Sequence, residues 1–348
     1  MIACAFAIPG DIDLPTGGYS YDRRVLERLR DHGIEVRYVA LRGSFPTPTK
    51  ADLEATRITL SSLPAESVLL IDGLAFGALP GDLLRAVSHP IVALCHHPLA
   101  HEAGLSEGQQ QHFRRSETAA LAMARHVVVT SATTARTLIA DFAVAAGNVT
   151  VAEPGTDRAP RAKGTRDPIQ LLAVGSIVPR KGFDVLVDAL STVTEHDWRL
   201  SLAGADDRSP ETTRNLHRQI VASGLAGRIQ LIGAVSEAEL ARLYDRADIF
   251  LMPSLYEGYG MVLTEAMARG LPIVCTTGGA AAETVPDEAA LKVPPGNASA
   301  FAVALRSLIT DTGQRGRMSD AAWVAAHTLP TWDDTARIIA GVIRKVAA

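Results

Sequence analysis

Cysteine is scarce in this chain, with only Cys4, Cys95 and Cys275 among 348 residues. Each lies inside an apolar run and none has a neighbour at metal-ligand spacing, which excludes a disulfide framework and a cysteine-based zinc motif. They read as small buried thiols. Also missing is any segment near the roughly 18 consecutive apolar residues that a membrane-spanning helix needs. The opening "MIACAFAI" lacks a basic lead and runs straight into Pro9-Gly10, so a buried first strand is expected there rather than a signal peptide. Nor is there an excess of one charge: a formal net charge of −4 gives no reason to expect a nucleic acid partner. Internal repeats, coiled-coil registers and low-complexity tracts are absent too.

What the chain does contain is alternation. Short apolar runs ("IACAFAI", "IEVRYVA", "SVLLID", "PIVALC", "HVVVT", "NVTVA") alternate with amphipathic stretches, and only a break rich in Pro and Thr follows the second run. After a Pro- and Gly-containing polar stretch the pattern starts again at "IQLLAVGSIVPRKGFDVLVDAL". It continues through "WRLSLAGA", "RIQLIGAV", "DIFLMPS" and "LPIVC", and ends in helices. Such repetition predicts parallel sheets covered by helices on both faces. We expect an α/β chain of two doubly wound, Rossmann-like domains facing a central cleft. The first covers 1–157, a linker 158–168, and the second 169–330, with a last helix over 331–348 packing back on the first.

Four constellations carry chemistry. In "PSLYEGYGMVLTEAMARG", Glu257 precedes a turn and Glu265 lies about one turn into the helix that follows. Gly258 and Gly260 let the main chain between them approach a ligand, and two carboxylates can accept from the paired hydroxyls of a sugar and a ribose. In "VGSIVPRKGF", Arg180 and Lys181 stand where a helix begins, against the usual dipole preference, which suggests an anion of high charge such as a diphosphate. Gly17 and Gly18, in "PTGGYSYDRR", precede the first helix in an arrangement able to accept phosphate, without the dinucleotide or P-loop fingerprint. Asp11 and Asp13 nearby read as loop caps. Finally His96 and His97 follow the fourth strand, with His101 shortly after. No zinc motif accompanies them, and a substrate hydrogen bond is the reading preferred.

Together these stretches resemble the retaining glycosyltransferases of family 4, which have the GT-B fold. The resemblance rests on the Glu-x7-Glu motif "EGYGMVLTE", on "GSIVPRKGFDVL" and "GGAAAETV", and on the histidine after the fourth strand. It covers nearly the whole chain and is strongest over 169–295. It implies that Glu265 accepts the ribose hydroxyls of a nucleotide and that Glu257 faces the donor sugar. Backbone at Gly258, Tyr259, Gly260 and Met261, beside Val262, would contact sugar and phosphates. Arg180 and Lys181 would neutralise the departing diphosphate, Gly17 and Gly18 would meet phosphates and acceptor, and backbone near Gly233 would meet the base. His96 matches the family's histidine, with His97 as the alternative beside it.

The activity implied is transfer of a hexosyl group from a UDP- or GDP-linked sugar, with retention and with no metal or other cofactor. The acceptor is a glycan, a lipid or a small molecule. A cytoplasmic location is expected, with peripheral contact at the inner membrane face if Arg23, Arg24, Arg28 and Arg30 meet anionic headgroups. A nucleotide-sugar epimerase, or a nucleotide-sugar-binding protein without turnover, would share these residues.

Overall fold

The computed structural model describes residues 1–165 and 167–348. The chain forms two compact units, Met1–Gly155 joined by Pro330–Ala348, and Thr156–Leu329. Residues 161–164 lie with the second unit. Ala162 N–H donates to Arg269 C=O, and Lys163 and Gly164 both donate to Asp245 C=O. The linker expected over 158–168 includes Arg166, which lies outside the described residues. No helix among the described residues is long and apolar enough to cross a membrane.

The first unit is built on six parallel strands: β1 (Ile2–Pro9), β2 (Ile34–Leu41), β3 (Val68–Asp72), β4 (Ile91–Cys95), β5 (His126–Val129) and β6 (Val149–Val151). Their order is β2-β1-β3-β4-β5-β6. Strands β3, β4 and β5 are buried along their whole length, so their sequences are almost unbroken apolar runs. β2, at the edge, alternates buried with exposed residues. The chain leaves β1 toward one edge and returns at β3 on the other side. The loops after these two strands therefore diverge at the carboxyl end of the sheet, which is where doubly wound sheets accept ligands.

Thr16 caps the first helix, Gly17–Leu29, by accepting Tyr19 N–H. Gly17 and Gly18 thus form its first turn rather than preceding it. Helix Lys50–Ser61 occupies the region that the sequence pattern leaves as a Pro- and Thr-rich break. Its capping box explains the start: Thr49 accepts Asp52 N–H, and the Asp52 carboxylate accepts Thr49 N–H.

The second unit has β7 (Ile169–Val174), β8 (Trp198–Ala203), β9 (Ile229–Gly233), β10 (Ile249–Met252), β11 (Ile273–Thr276) and β12 (Ala290–Val293). All are parallel, in the order β12-β11-β10-β7-β8-β9. The direction of winding reverses between β7 and β10, and the loops after these neighbours open toward the same end. Trp198 anchors the packing beneath: it is fully buried, donates Nε1–H to Val193 C=O at 2.9 Å, and carries the Arg228 guanidinium over its ring at 4.2 Å.

The last helix, Trp332–Ala347, completes the first unit. Its buried stripe, including Trp332, Ala336, Ile339, Ile343 and Val346, meets the first helix and strands β1, β3, β4 and β5. Trp332 sets its angle of entry. The ring lies edge-on to Tyr21 at 5.7 Å, Arg24 covers it, and a Cβ at Gly155 would fall 2.1 Å from its backbone nitrogen. Thr335 Oγ1–H donates to Glu153 C=O at 2.7 Å. Trp332→Ala is expected to destabilise this unit by about 3–5 kcal/mol through lost packing. Denaturant unfolding followed by far-UV circular dichroism measures it, and a change below about 1 kcal/mol would contradict the anchoring role.

Candidate functional site

In the second unit, the carboxyl ends of three neighbouring strands converge on one carboxylate. β7 runs into a loop and a short 3-10 turn, Pro179–Lys181, closed by Gly182 in the left-handed region (φ 61°) before helix Phe183–Ser191. Only glycine fits there, because a Cβ would lie 2.4 Å from Pro253 C=O. That closeness lays Arg180 and Lys181 along the segment leaving β10. Leu255 N–H donates to Arg180 C=O at 2.7 Å, and Arg180 Nη1 donates to Tyr256 C=O at 2.8 Å. From β11 comes the backbone clamp: Glu257 N–H donates to Gly278 C=O at 3.2 Å, and Ala280 N–H donates to Glu257 C=O at 2.8 Å. Gly279, also left-handed, leaves no room for a Cβ against Glu257 C=O.

The Glu257 side chain is then bound on both oxygens. Lys181 Nζ lies 2.6 Å from Oε1, Arg180 Nη1 3.2 Å from Oε2, and Ser254 Oγ–H donates to Oε1 at 2.6 Å. All three charged side chains are largely enclosed, with relative exposures of 14% for Lys181, 16% for Arg180 and 7% for Glu257. Burial works against the Glu257 charge, but Lys181, Arg180 and Ser254 outweigh it and hold the carboxyl at about 2. The set carries two positive charges against one negative. It therefore keeps a net positive charge, which an anion could offset.

Glu265 has a different environment. It sits in helix Met261–Met267, which starts from Gly260 in the left-handed region (φ 91°). Its carboxylate accepts from Tyr244 Oη–H at 2.9 Å. Arg269 stacks over the Tyr244 ring at 4.3 Å and donates to Glu265 C=O. Burial, reinforced by Glu265, pushes the Tyr244 phenol well above its ordinary value, so it stays a donor. Between the two glutamates Gly258, Tyr259 and Gly260 are buried, and Tyr259 C=O accepts from Thr284 Oγ1 at 2.6 Å. Met261 and Val262 are half-buried. Gly233 ends β9, its carbonyl taken by Gly204 N–H.

In the first unit His96 is the centre. It follows β4, packs against Gly18, where a Cβ would lie 3.4 Å from its ring, and lies edge-on to Tyr21 at 5.2 Å. Its Nε2 is 3.1 Å from Asp22 Oδ1 and 3.3 Å from Asp72 Oδ2, both carboxylates being buried. Burial of the ring opposes its charge, yet Asp22 and Asp72 hold the imidazole well above its ordinary value. Asp22 is itself raised, by burial first, so the set keeps its proton through neutral pH. These three polar atoms lie within 4.8 Å of one another, and a proton on Nε2 is donated to Asp22 Oδ1, with Asp72 Oδ2 close beside it. His97 turns elsewhere, with Nε2 3.2 Å from Glu102. Buried Glu117 accepts Leu99 N–H at 3.0 Å and fixes the loop carrying both histidines. Asp11 accepts Asp13 N–H within its own loop. Arg23 ties that loop to the first helix through Ile12 C=O and Leu14 C=O.

Asp22, Asp72, Tyr244 and Ser254 do not emerge from motif reasoning. Two left a signal: Asp72 ends an otherwise apolar strand, and Asp22 shares the buried face of its helix with Val25 and Leu29. Ser254 left none, and neither did Tyr244, whose hydroxyl reaches Glu265 from 21 positions away.

Residues 168–311 match the family model described as "Glycosyl transferases group 1". Among curated proteins, the chain is similar to the MMP alpha-(1->4)-mannosyltransferase of Mycolicibacterium hassiacum, 26% identical over 87% of this chain and 76% of that protein. It is also similar to the D-inositol 3-phosphate glycosyltransferase of Corynebacterium aurimucosum, 31% identical over 58% of this chain and 54% of that protein. The chain thus spans about three quarters of the first relative and about half of the second. Sucrose-phosphate synthase from Thermosynechococcus elongatus has a similar structure, with a TM-score of 0.84, 22% identity and coverage of 98% of both chains. Anabaena HepE, solved in complex with UDP-glucose, gives a TM-score of 0.74 at 17% identity, covering 98% of this chain and 99% of that one. The fold is GT-B, and the family-model and curated-protein matches support glycosyltransferase activity.

Two titrations test the local chemistry. Asp22→Asn is expected to bring the His96 midpoint down toward the ordinary imidazole range in long-range 1H–15N NMR spectra; an unmoved midpoint would contradict the charge assignment. Glu257, depressed from 4.5 to about 2, contributes stability that is present above pH 4.5 and lost as pH falls through about 2. The stability advantage of the wild-type chain over Glu257→Gln in urea unfolding should therefore shrink across that window, and an advantage independent of pH would refute the ion set.

Proposed function

We propose that this protein is a metal-independent, retaining glycosyltransferase of family 4 that moves a hexosyl group from a nucleotide-diphosphate sugar to an acceptor hydroxyl. The observation carrying this reading is the set of Arg180, Lys181 and Glu257, two enclosed cations and a carboxylate fixed by three loops at the switch point of one sheet. Cations held by the backbone stabilise the charge that grows on a departing diphosphate without reorganising, which is the work a metal would otherwise do. Glu257 accepts from donor-sugar hydroxyls, and Glu265, oriented by Tyr244, accepts from the ribose. The short helix after Gly260 brings main-chain amides near the phosphates.

Retention follows from attack on the face the leaving group departs from. The acceptor oxygen bonds to the anomeric carbon, the bond to the phosphate oxygen breaks, and the acceptor proton passes to that phosphate. His96, kept protonated by Asp22 and Asp72, serves as a donor to a substrate oxygen rather than as a base. UDP is the first choice of nucleotide, supported by the UDP and UDP-glucose complexes of HepE.

A thermal-shift screen with UDP-, GDP-, ADP- and TDP-sugars in the presence of a chelator tests this. One donor class should raise the melting temperature by several degrees at saturating concentration. Lys181→Ala and Glu265→Ala should each weaken that donor by about tenfold or more. Unchanged affinity in both variants would remove the site assignment, and a shift that requires added metal would overturn metal independence.

A further inference from the structure

Glu257 occupies the cations that a diphosphate would need. Its Oε1 takes Lys181 Nζ at 2.6 Å and its Oε2 takes Arg180 Nη1 at 3.2 Å, so a phosphate seated on these groups competes with it directly. The carboxylate cannot retreat to water. Its residue is buried, its backbone is clamped on both sides by Gly278 and Ala280, and Gly279 packs against its carbonyl without room for a side chain. When phosphate oxygens draw the cations away, only Ser254 Oγ is left of the three side-chain partners described, and a buried carboxylate short of partners is costly.

What replaces those partners depends on the ligand. A sugar esterified to the diphosphate brings hydroxyl donors to the carboxylate. A bare nucleoside diphosphate brings none, and it carries more negative charge than its sugar ester, so it is also repelled more strongly.

We infer that Glu257 is a specificity-determining residue that favours the sugar-bearing diphosphate over the bare diphosphate left after transfer, so that product leaves the site. This rests on the nucleotide-sugar reading given above. It predicts an unusual sign: removing a binding-site carboxylate tightens one ligand. In Glu257→Gln the paired cations lose their internal counter-charge, and a nucleoside diphosphate gains what the carboxylate gave up.

The experiment is isothermal titration of the full chain with UDP and UDP-glucose and with GDP and GDP-mannose. Wild type, Glu257→Gln and Glu257→Ala are compared, with folding checked by circular dichroism. In both variants the nucleoside diphosphate should bind about tenfold more tightly than to wild type. The nucleotide sugar, whose hydroxyls lose a charged acceptor in Glu257→Gln and any acceptor in Glu257→Ala, should gain less, so the ratio of the two dissociation constants moves toward the diphosphate. Wild type by itself should bind the nucleotide sugar more tightly than the diphosphate, and the reverse order overturns the inference without any variant. A wild-type chain that binds the nucleotide sugar, together with variants that bind the diphosphate no more tightly, overturns the inference and leaves the donor reading standing. Failure of all three proteins to bind any of the four ligands overturns the donor reading and the inference with it.

Discussion

A carboxylate that is to stay charged out of water needs a counter-charge inside the protein, and two chemically distinctive places among the described residues are arranged around that requirement. In the second unit the counter-charge is a lysine and an arginine; in the first it is an imidazole with two carboxylates on one nitrogen. The costs differ in kind. Glu257 is kept ionised by Lys181, Arg180 and the Ser254 hydroxyl, which together outweigh its burial. Asp22 and Asp72 instead share one imidazole nitrogen, whose charge they favour together.

Neither arrangement could be made by one stretch of chain. Parallel strands deliver their following loops to the same end of the sheet, and the order β11-β10-β7 makes neighbours of three loops that are far apart in sequence. The order β1-β3-β4 does the same for the helix after β1, the last residue of β3 and the histidine after β4. Close backbone approach at Gly182 and Gly279 turns this adjacency into fixed geometry. Replacing either glycine would disturb the charges through the loops rather than through any contact with them.

The fold was largely legible because its signal is local. Buried parallel strands must be apolar throughout, and β3, β4 and β5 read that way directly. Helices Lys50–Ser61 and Pro210–Ala222 were harder to see, since each buries only two residues. For the candidate sites the division is sharper. Arg180, Lys181 and Glu257 could be singled out from two short motifs, but not the fact that they hold one another across 76 positions of chain. Asp22 and His96, 74 positions apart, meet for the same topological reason. Composition announces which residues carry chemistry, whereas their pairing is a property of strand order.

The placement of helix Trp332–Ala347 bears on how the protein is made. The polypeptide leaves the first unit at Gly155 and builds the whole of the second before it supplies this helix. On the ribosome, the second unit has all its strands while the first still lacks the element that covers part of its sheet and one flank of its first helix. The N-terminal unit is therefore the last to be finished, and its apolar face must be shielded or tolerated throughout synthesis of the 174 residues from Thr156 to Leu329. A nascent chain of this design inverts the usual order in which domains mature.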